Sequence, residues 1–129
     1  MDRDDFLWMD RFTIRNLELV TGNSEGNHTL LSVLDNTASA MGARLLKRWI
    51  IFPLKEISKI EERLELVEYF IKETELKNKI AQSIKQCGDI ERLVSKIPLK
   101  KINPREVLHL ARGLKQIRHH KAALSLFFQ

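Results

Sequence analysis

Cysteine is nearly absent: Cys87 is the only one in 129 residues. No internal disulfide can form, and a reducing interior suits such a chain. Cys87 also has no histidine beside it in sequence, and the neighbours His119 and His120 diverge by about 100° on a helix, which argues against a zinc site or a cysteine nucleophile. Glycine is scarce, with five. Two of them fall in Thr21 to His28, TGNSEGNH, which lacks the Gly-Lys-Ser/Thr ending of a phosphate loop and reads as an exposed connection. Aromatic residues are only 7% of the chain and do not alternate with basic ones, so no base-stacking surface is expected. No apolar run is longer than Trp49 to Phe52, far short of the ~18 residues of a membrane helix. The opening MDRDD is not the basic-then-apolar start of a signal peptide, and a cytoplasmic location is the expectation.

Charge is what the chain has in quantity: 30% of residues, with 22 basic against 17 acidic and a net charge of +5. That balance favours a mildly anionic partner, and it equally serves solubility. The length predicts one domain, burying roughly two-thirds of its unfolded surface.

Helical periodicity dominates. In Thr29 to Leu54 the chain reads as two helical segments hinged at Asn36-Thr37. Met41, Leu45 and Trp49 fall at i, i+4 and i+8, and Leu46 and Ile50 widen the apolar face. Thr37 or Ser39 can cap the second segment, and Pro53 stops it. Gly42 sits inside that helix, where glycine costs about 0.5–1 kcal/mol relative to alanine, so a close backbone approach is expected there. Before the hinge, Phe6 to Met9 and Leu17 to Val20 read as short extended segments, with Asp10 and Thr13 able to cap a helical turn between them.

After Pro53, Ile57, Ile60, Leu64, Val67 and Ile71 alternate spacings of three and four, a seam expected to face the chain's own helices. Glu61, Glu62, Glu65 and Glu68 line the opposite, solvated side, with Glu68–Lys72 a favourable pair. A further helix opens at Thr74-Glu75, carries Leu76, Ile80, Ile84 and Cys87 on its apolar stripe, and ends at Gly88. Asp89 caps the next, whose buried face is predicted to be Ile90, Leu93, Val94 and Ile97 before Pro98. Asn103-Pro104 starts the last helix, with Val107, Leu110, Ala111, Leu114 and Ile117 inward.

The hinge region also carries a family resemblance. Leu34-Asp35, Thr37, Met41-Gly42, Arg44, Leu46, Arg48, Trp49 and Pro53-Leu54 resemble the first part of the core (lever) domain of MutS-type DNA mismatch repair proteins. Met9-Asp10, Thr13 and Asn16-Leu17-Glu18-Leu19 match the same pattern upstream. Gly88-Asp89-x-Glu91-Arg92-Leu93 and Pro104-Arg105 extend it, so the likeness runs from about Phe6 to Leu124. Lys96 stands where the family usually has arginine, and lysine lacks the bidentate guanidinium fork.

The resemblance implies a mostly α, multi-helix fold in which residues 1–129 are the N-terminal portion of the core domain, cut before the clamp. It implies a structural link between mismatch binding and an ATPase. Asp35, Thr37, Met41, Gly42, Arg44, Trp49, Pro53, Asp89, Glu91, Arg92, Pro104 and Arg105 would be structural signature residues. Catalytic, cofactor and metal residues are expected to be none here, with ATP and Mg²⁺ held elsewhere in the parent. The partners implied are mismatched double-stranded DNA through the parent, other domains of the same chain and a second parent copy, with no membrane.

Two other readings compete. A free-standing helical nucleic-acid binder would use basic clusters at Arg44, Lys47 and Arg48, at Lys96, Lys100, Lys101 and Arg105, or at Arg112, Lys115, Arg118 and Lys121. Of these, Arg112, Lys115 and Arg118 are the candidates for non-specific phosphate contacts. Arg44 has a structural alternative, bridging to Asp35 across the hinge. An oligomerisation module would use the Ile57–Ile71 seam.

Overall fold

In the computed structural model, the described residues are 5–22, 26 and 28–124, with side chains described to Arg118. Seven α-helices follow in order among them: α1 (Arg11–Asn16), α2 (Leu30–Leu34), α3 (Ala40–Ile51), α4 (Ile57–Lys72), α5 (Thr74–Cys87), α6 (Ile90–Ser95) and α7 (Pro104–Leu124). The fold is therefore the mostly α, multi-helix kind the periodicity predicts. The chain divides into two compact units, Met1–Thr37 with Gly42–Glu73, and Ala38–Met41 with Thr74–Gln129.

In the first unit, local side-chain chemistry sets the helix starts. The Asp10 carboxylate accepts the Thr13 amide at 2.6 Å and starts α1. Thr29 and Ser32 form a reciprocal capping box on α2, each side chain accepting the other's backbone N–H. The extended reading at Phe6 holds as one antiparallel bridge to Leu54, flanked by Leu7 N–H donating to the Pro53 carbonyl at 2.8 Å. Lys59 of α4 ties that bridge down by pairing with Asp5 at 3.2 Å and Glu56 at 2.8 Å.

Leu17 to Val20 is not the extended segment the sequence suggests. It is a turn with Glu18 at φ +49°, and the Glu18 and Leu19 carbonyls accept the Leu30 and Leu31 amides at the start of α2. Alternation over four residues lost to a helix end that needed acceptors.

The α4 seam also departs from expectation. Ile57, Leu64 and Ile71 remain 71%, 61% and 69% exposed, so this face is not covered by the helices of its own unit. Periodicity identifies an apolar face, but it does not say which polypeptide covers it. The acidic side is solvent-exposed as expected, and Lys72 donates to Glu68 at 2.6 Å.

The second unit holds the buried core, Cys87, Ile90 and Leu110, with Met41, Leu93 and Ile102 packed against it. Cys87 is a buried free thiol behaving as a small hydrophobe. Gly88 takes φ +67°, the left-handed turn that ends α5. Asp89 then caps α6 by accepting the Arg92 amide at 3.1 Å. The helix stops at Ser95, ahead of Pro98, and Val94 within it and Ile97 beyond it are exposed rather than buried. Asn103 accepts the Glu106 amide at 2.9 Å and Pro104 is the first residue of α7, as predicted. The buried face of α7 is narrower than predicted: Leu110 and Gly113 are inside, while Val107, Leu114 and Ile117 are exposed.

At Gly113 the backbone of α7 lies close against the end of α5. A Cβ built there would lie 2.7 Å from the Cys87 carbonyl oxygen and about 3.0 Å or less from two Ile90 carbons. Only glycine admits that approach without displacing a neighbour.

Candidate functional site

The signature residues fall mostly on caps, turns and helix contacts. Asp35 follows α2, and its carboxylate accepts both the Thr37 amide at 3.1 Å and the Thr37 hydroxyl at 2.7 Å. Those bonds, the hydroxyl first, hold the Asp35 carboxyl below its ordinary value. Met41 packs on the core of the second unit, and Gly42 is half-buried. Arg44 lies exposed on α3. Trp49 carries the Arg63 guanidinium over its ring, 3.8 Å from the centroid, so the signature tryptophan fastens α3 to α4. Pro53 presents its carbonyl to Leu7.

In the second unit, Asp89 is the α6 cap, with Glu91 and Arg92 exposed in the turn that follows. Pro104 and Arg105 open α7 and are exposed. Lys96, standing in the usual arginine position, pairs through its single ammonium with Glu106 Oε1. The other Glu106 oxygen accepts the Asn103 amide at 3.1 Å, completing a capping box on α7. The Lys96 contact, then the Asn103 amide, lowers the Glu106 carboxyl below its ordinary value.

Around this pair lies an open concavity of about 520 Å³, lined by the end of α5 (Gln86 to Gly88), by Asp89, Arg92, Leu93 and Lys96, and by Glu106, His109 and Arg112 of α7. A second hollow of about 410 Å³ shares Gln86 and Arg112 and adds Lys115 and Gln116. The structure thus brings Arg112 and Lys115 of the terminal basic cluster together, while Arg118 is exposed and lines neither hollow. His119, His120 and Lys121 lie outside the described side chains. Among the described residues, no group of three or more His, Cys, Asp or Glu side chains is placed to hold a metal ion. No helix among them is long and apolar enough to cross a membrane.

Local sequence pattern does not single out Gly113 or this concavity. The signal for Gly113 is a glycine inside a long helical run, as at Gly42. The concavity had no local signal, because Arg92 and Arg112 are brought together only by the α6 and α7 packing.

In this mostly helical chain the recognisable residues serve caps, turns and helix contacts. Comparison with known proteins says which family it belongs to. A family model described as MutS domain III matches residues 12–128. A protein of Cytophaga hutchinsonii named DNA mismatch repair protein MutS is 45% identical over 117 residues, covering 91% of this chain and 14% of that protein. The same-named proteins of Phocaeicola vulgatus and Christiangramia forsetii are 46% and 48% identical, covering 95% and 88% of this chain and 14% and 13% of theirs. The chain belongs to the MutS family of DNA mismatch repair proteins, in the segment described as domain III. It spans about one-seventh of the length of these curated relatives.

Proposed function

We propose that this chain is the structural core, or lever, segment of a MutS-type mismatch repair ATPase, linking the part that binds mismatched DNA to the part that hydrolyses ATP. The observation that carries this reading is the exposed apolar seam of α4, from Ile57 to Ile71. A helix with one apolar stripe gains stability by burying it, and a chain one-seventh the length of its relatives has most of the parent available to cover it. Within the chain, Asp35, Trp49, Asp89 and Pro104 hold turns and helix starts, which suits a rigid element that transmits displacement. In the same reading, residues 1–129 are the first part of the core domain.

ATP and Mg²⁺ belong, in this reading, to the parent outside this chain. The concavity does not fit them, because Gly88 is followed by Asp89 rather than Lys-Ser/Thr, and both of its carboxylates already accept amide protons. In this reading the fragment contributes structure and leaves catalysis to the rest of the parent. The parent would act in the cytoplasm, as a homodimer, on mismatched double-stranded DNA, with this segment touching other domains of its own chain.

A secondary role rests on the basic side of α7. Arg112, Lys115 and Arg118 are exposed and would add phosphate attraction without reading sequence. Titrating the purified chain with matched and mismatched duplexes at two salt concentrations tests both statements. The expected affinity is non-specific, roughly 10⁻⁴ to 10⁻⁶ M near physiological salt, falling steeply as salt rises and equal for the two duplexes. A mismatch preference that survives high salt would show that this segment reads DNA itself.

A further inference from the structure

The concavity beside Glu106 differs from the diffuse charge on the rest of the surface. Its rim carries Arg92, Lys96, His109 and Arg112, and Lys115 extends it through the adjoining hollow. Its two acidic members are engaged: Asp89 caps α6, and Glu106 is held by Lys96 and the Asn103 amide. Among the described residues, the side chains of His109, Arg112 and Lys115 make no ion pair or hydrogen bond, and Arg92 makes none but lies close enough to Glu106 to help lower its carboxyl. Its lining also includes the apolar Cys87 and Leu93, which belong to or pack against the core.

We propose that this concavity is a docking site for an acidic polypeptide segment, one that seats an apolar side chain on Leu93 between carboxylates held by Arg92 and Arg112. Three features favour this occupant over a nucleic-acid backbone. A guanidinium meets a carboxylate through two parallel hydrogen bonds, and here two arginines and the apolar Leu93 line one hollow. A duplex turns its phosphates outward and keeps its apolar base faces stacked inside, so it would leave Leu93 uncovered. Phosphates on the convex surface of a duplex are met best by cations on an outward ridge, whereas Arg92 and Arg112 border a hollow. Glu106 is an internal precedent, since one carboxylate already sits at this rim on Lys96.

The test uses the chain as it is and a fluorescein-labelled peptide with the core Glu-Glu-Leu-Glu-Glu, followed by anisotropy. Its counterpart with glutamine for glutamate, and a short DNA duplex, are the comparison probes. The expected result is saturable binding of the glutamate peptide, weakened about tenfold or more by R92E and by R112E, and unchanged by K77E on the exposed side of α5. The glutamine peptide should bind at least about tenfold more weakly than the glutamate one. Circular dichroism checks that each variant folds, and R92Q with R112Q replaces the reversals if they do not. No saturable peptide binding, or an equal loss in K77E, overturns the proposal. So does duplex binding that depends on Arg92 and Arg112 while peptide binding does not, which would make the hollow a phosphate site.

Discussion

Replacing Gly113 by alanine sets two effects of opposite sign against each other. In an open helix position the change would stabilise the chain by about 0.5–1 kcal/mol, because glycine loses more backbone freedom on folding. At Gly113 the new methyl would sit 2.7 Å from the Cys87 carbonyl oxygen and 2.9 and 3.0 Å from the Ile90 Cδ1 and Cγ1. Contacts between carbons are optimal at about 3.5–4.0 Å, so α7 would have to move away from the end of α5 by about half an ångström or more. The nearest obstacle is backbone and cannot rotate aside, and the core it disturbs contains both Cys87 and Ile90. Overpacking of this kind costs about 1–3 kcal/mol and outweighs the propensity gain. The net expectation is a loss of about 1–2 kcal/mol, lowering the melting temperature by roughly 4 °C per kcal/mol in a chain of this size. Thermal and urea unfolding followed by circular dichroism would measure it. Gly88 is the comparison. A Cβ there meets nothing within 4 Å, and alanine would lose only backbone comfort at φ +67°. Asparagine, which tolerates that conformation, should recover part of the loss at Gly88 and none of it at Gly113. A Gly113→Ala chain as stable as the parent, or more so, would refute the close contact.

The remaining predictions concern the core, the seam and acid. Ile90→Ala should cost about 2–3 kcal/mol, because Ile90 is only 8% exposed. Leu64→Glu should change the stability of this chain by less than about 0.5 kcal/mol, because its side chain already faces solvent; unfolding curves for both variants check this contrast. The Glu106 carboxyl sits below its ordinary value of 4.5, so the stability it contributes is present at neutral pH and lost as pH falls through its folded-state value. Glu106→Gln should therefore be less stable than the parent chain at neutral pH, and the difference should shrink in acid when melting temperatures are compared across that range.

How far the sequence reaches depends on how local the cause is. Asp10, Asp89 and Asn103 announce helix starts because a cap and its amide lie within three residues of each other. Gly88 and Pro104 mark an end and a beginning for equally local reasons. The stripe of α4 was legible as apolar, yet its exposure was not, since the polypeptide that covers a stripe leaves no mark on it. Leu17 to Val20 was misread because its geometry answers to α2, more than ten residues onward. In the candidate site, Asp89 and Arg92 were legible as a motif. Their convergence with Glu106 and Arg112 depends on helices joined by the turn at 96–100, whose path no local pattern specifies.

The lever role itself is tested most directly in the whole protein that carries this chain. Leu64→Glu and Ile71→Glu would place charge on the α4 seam where the parent is proposed to cover it. Mismatch binding and the hydrolysis of ATP without DNA would be measured alongside the stimulation of hydrolysis by mismatched duplex. The account predicts that the first two persist while the stimulation is lost, because the two activities survive and their mechanical connection does not. Stimulation that remains complete in the variants would contradict it.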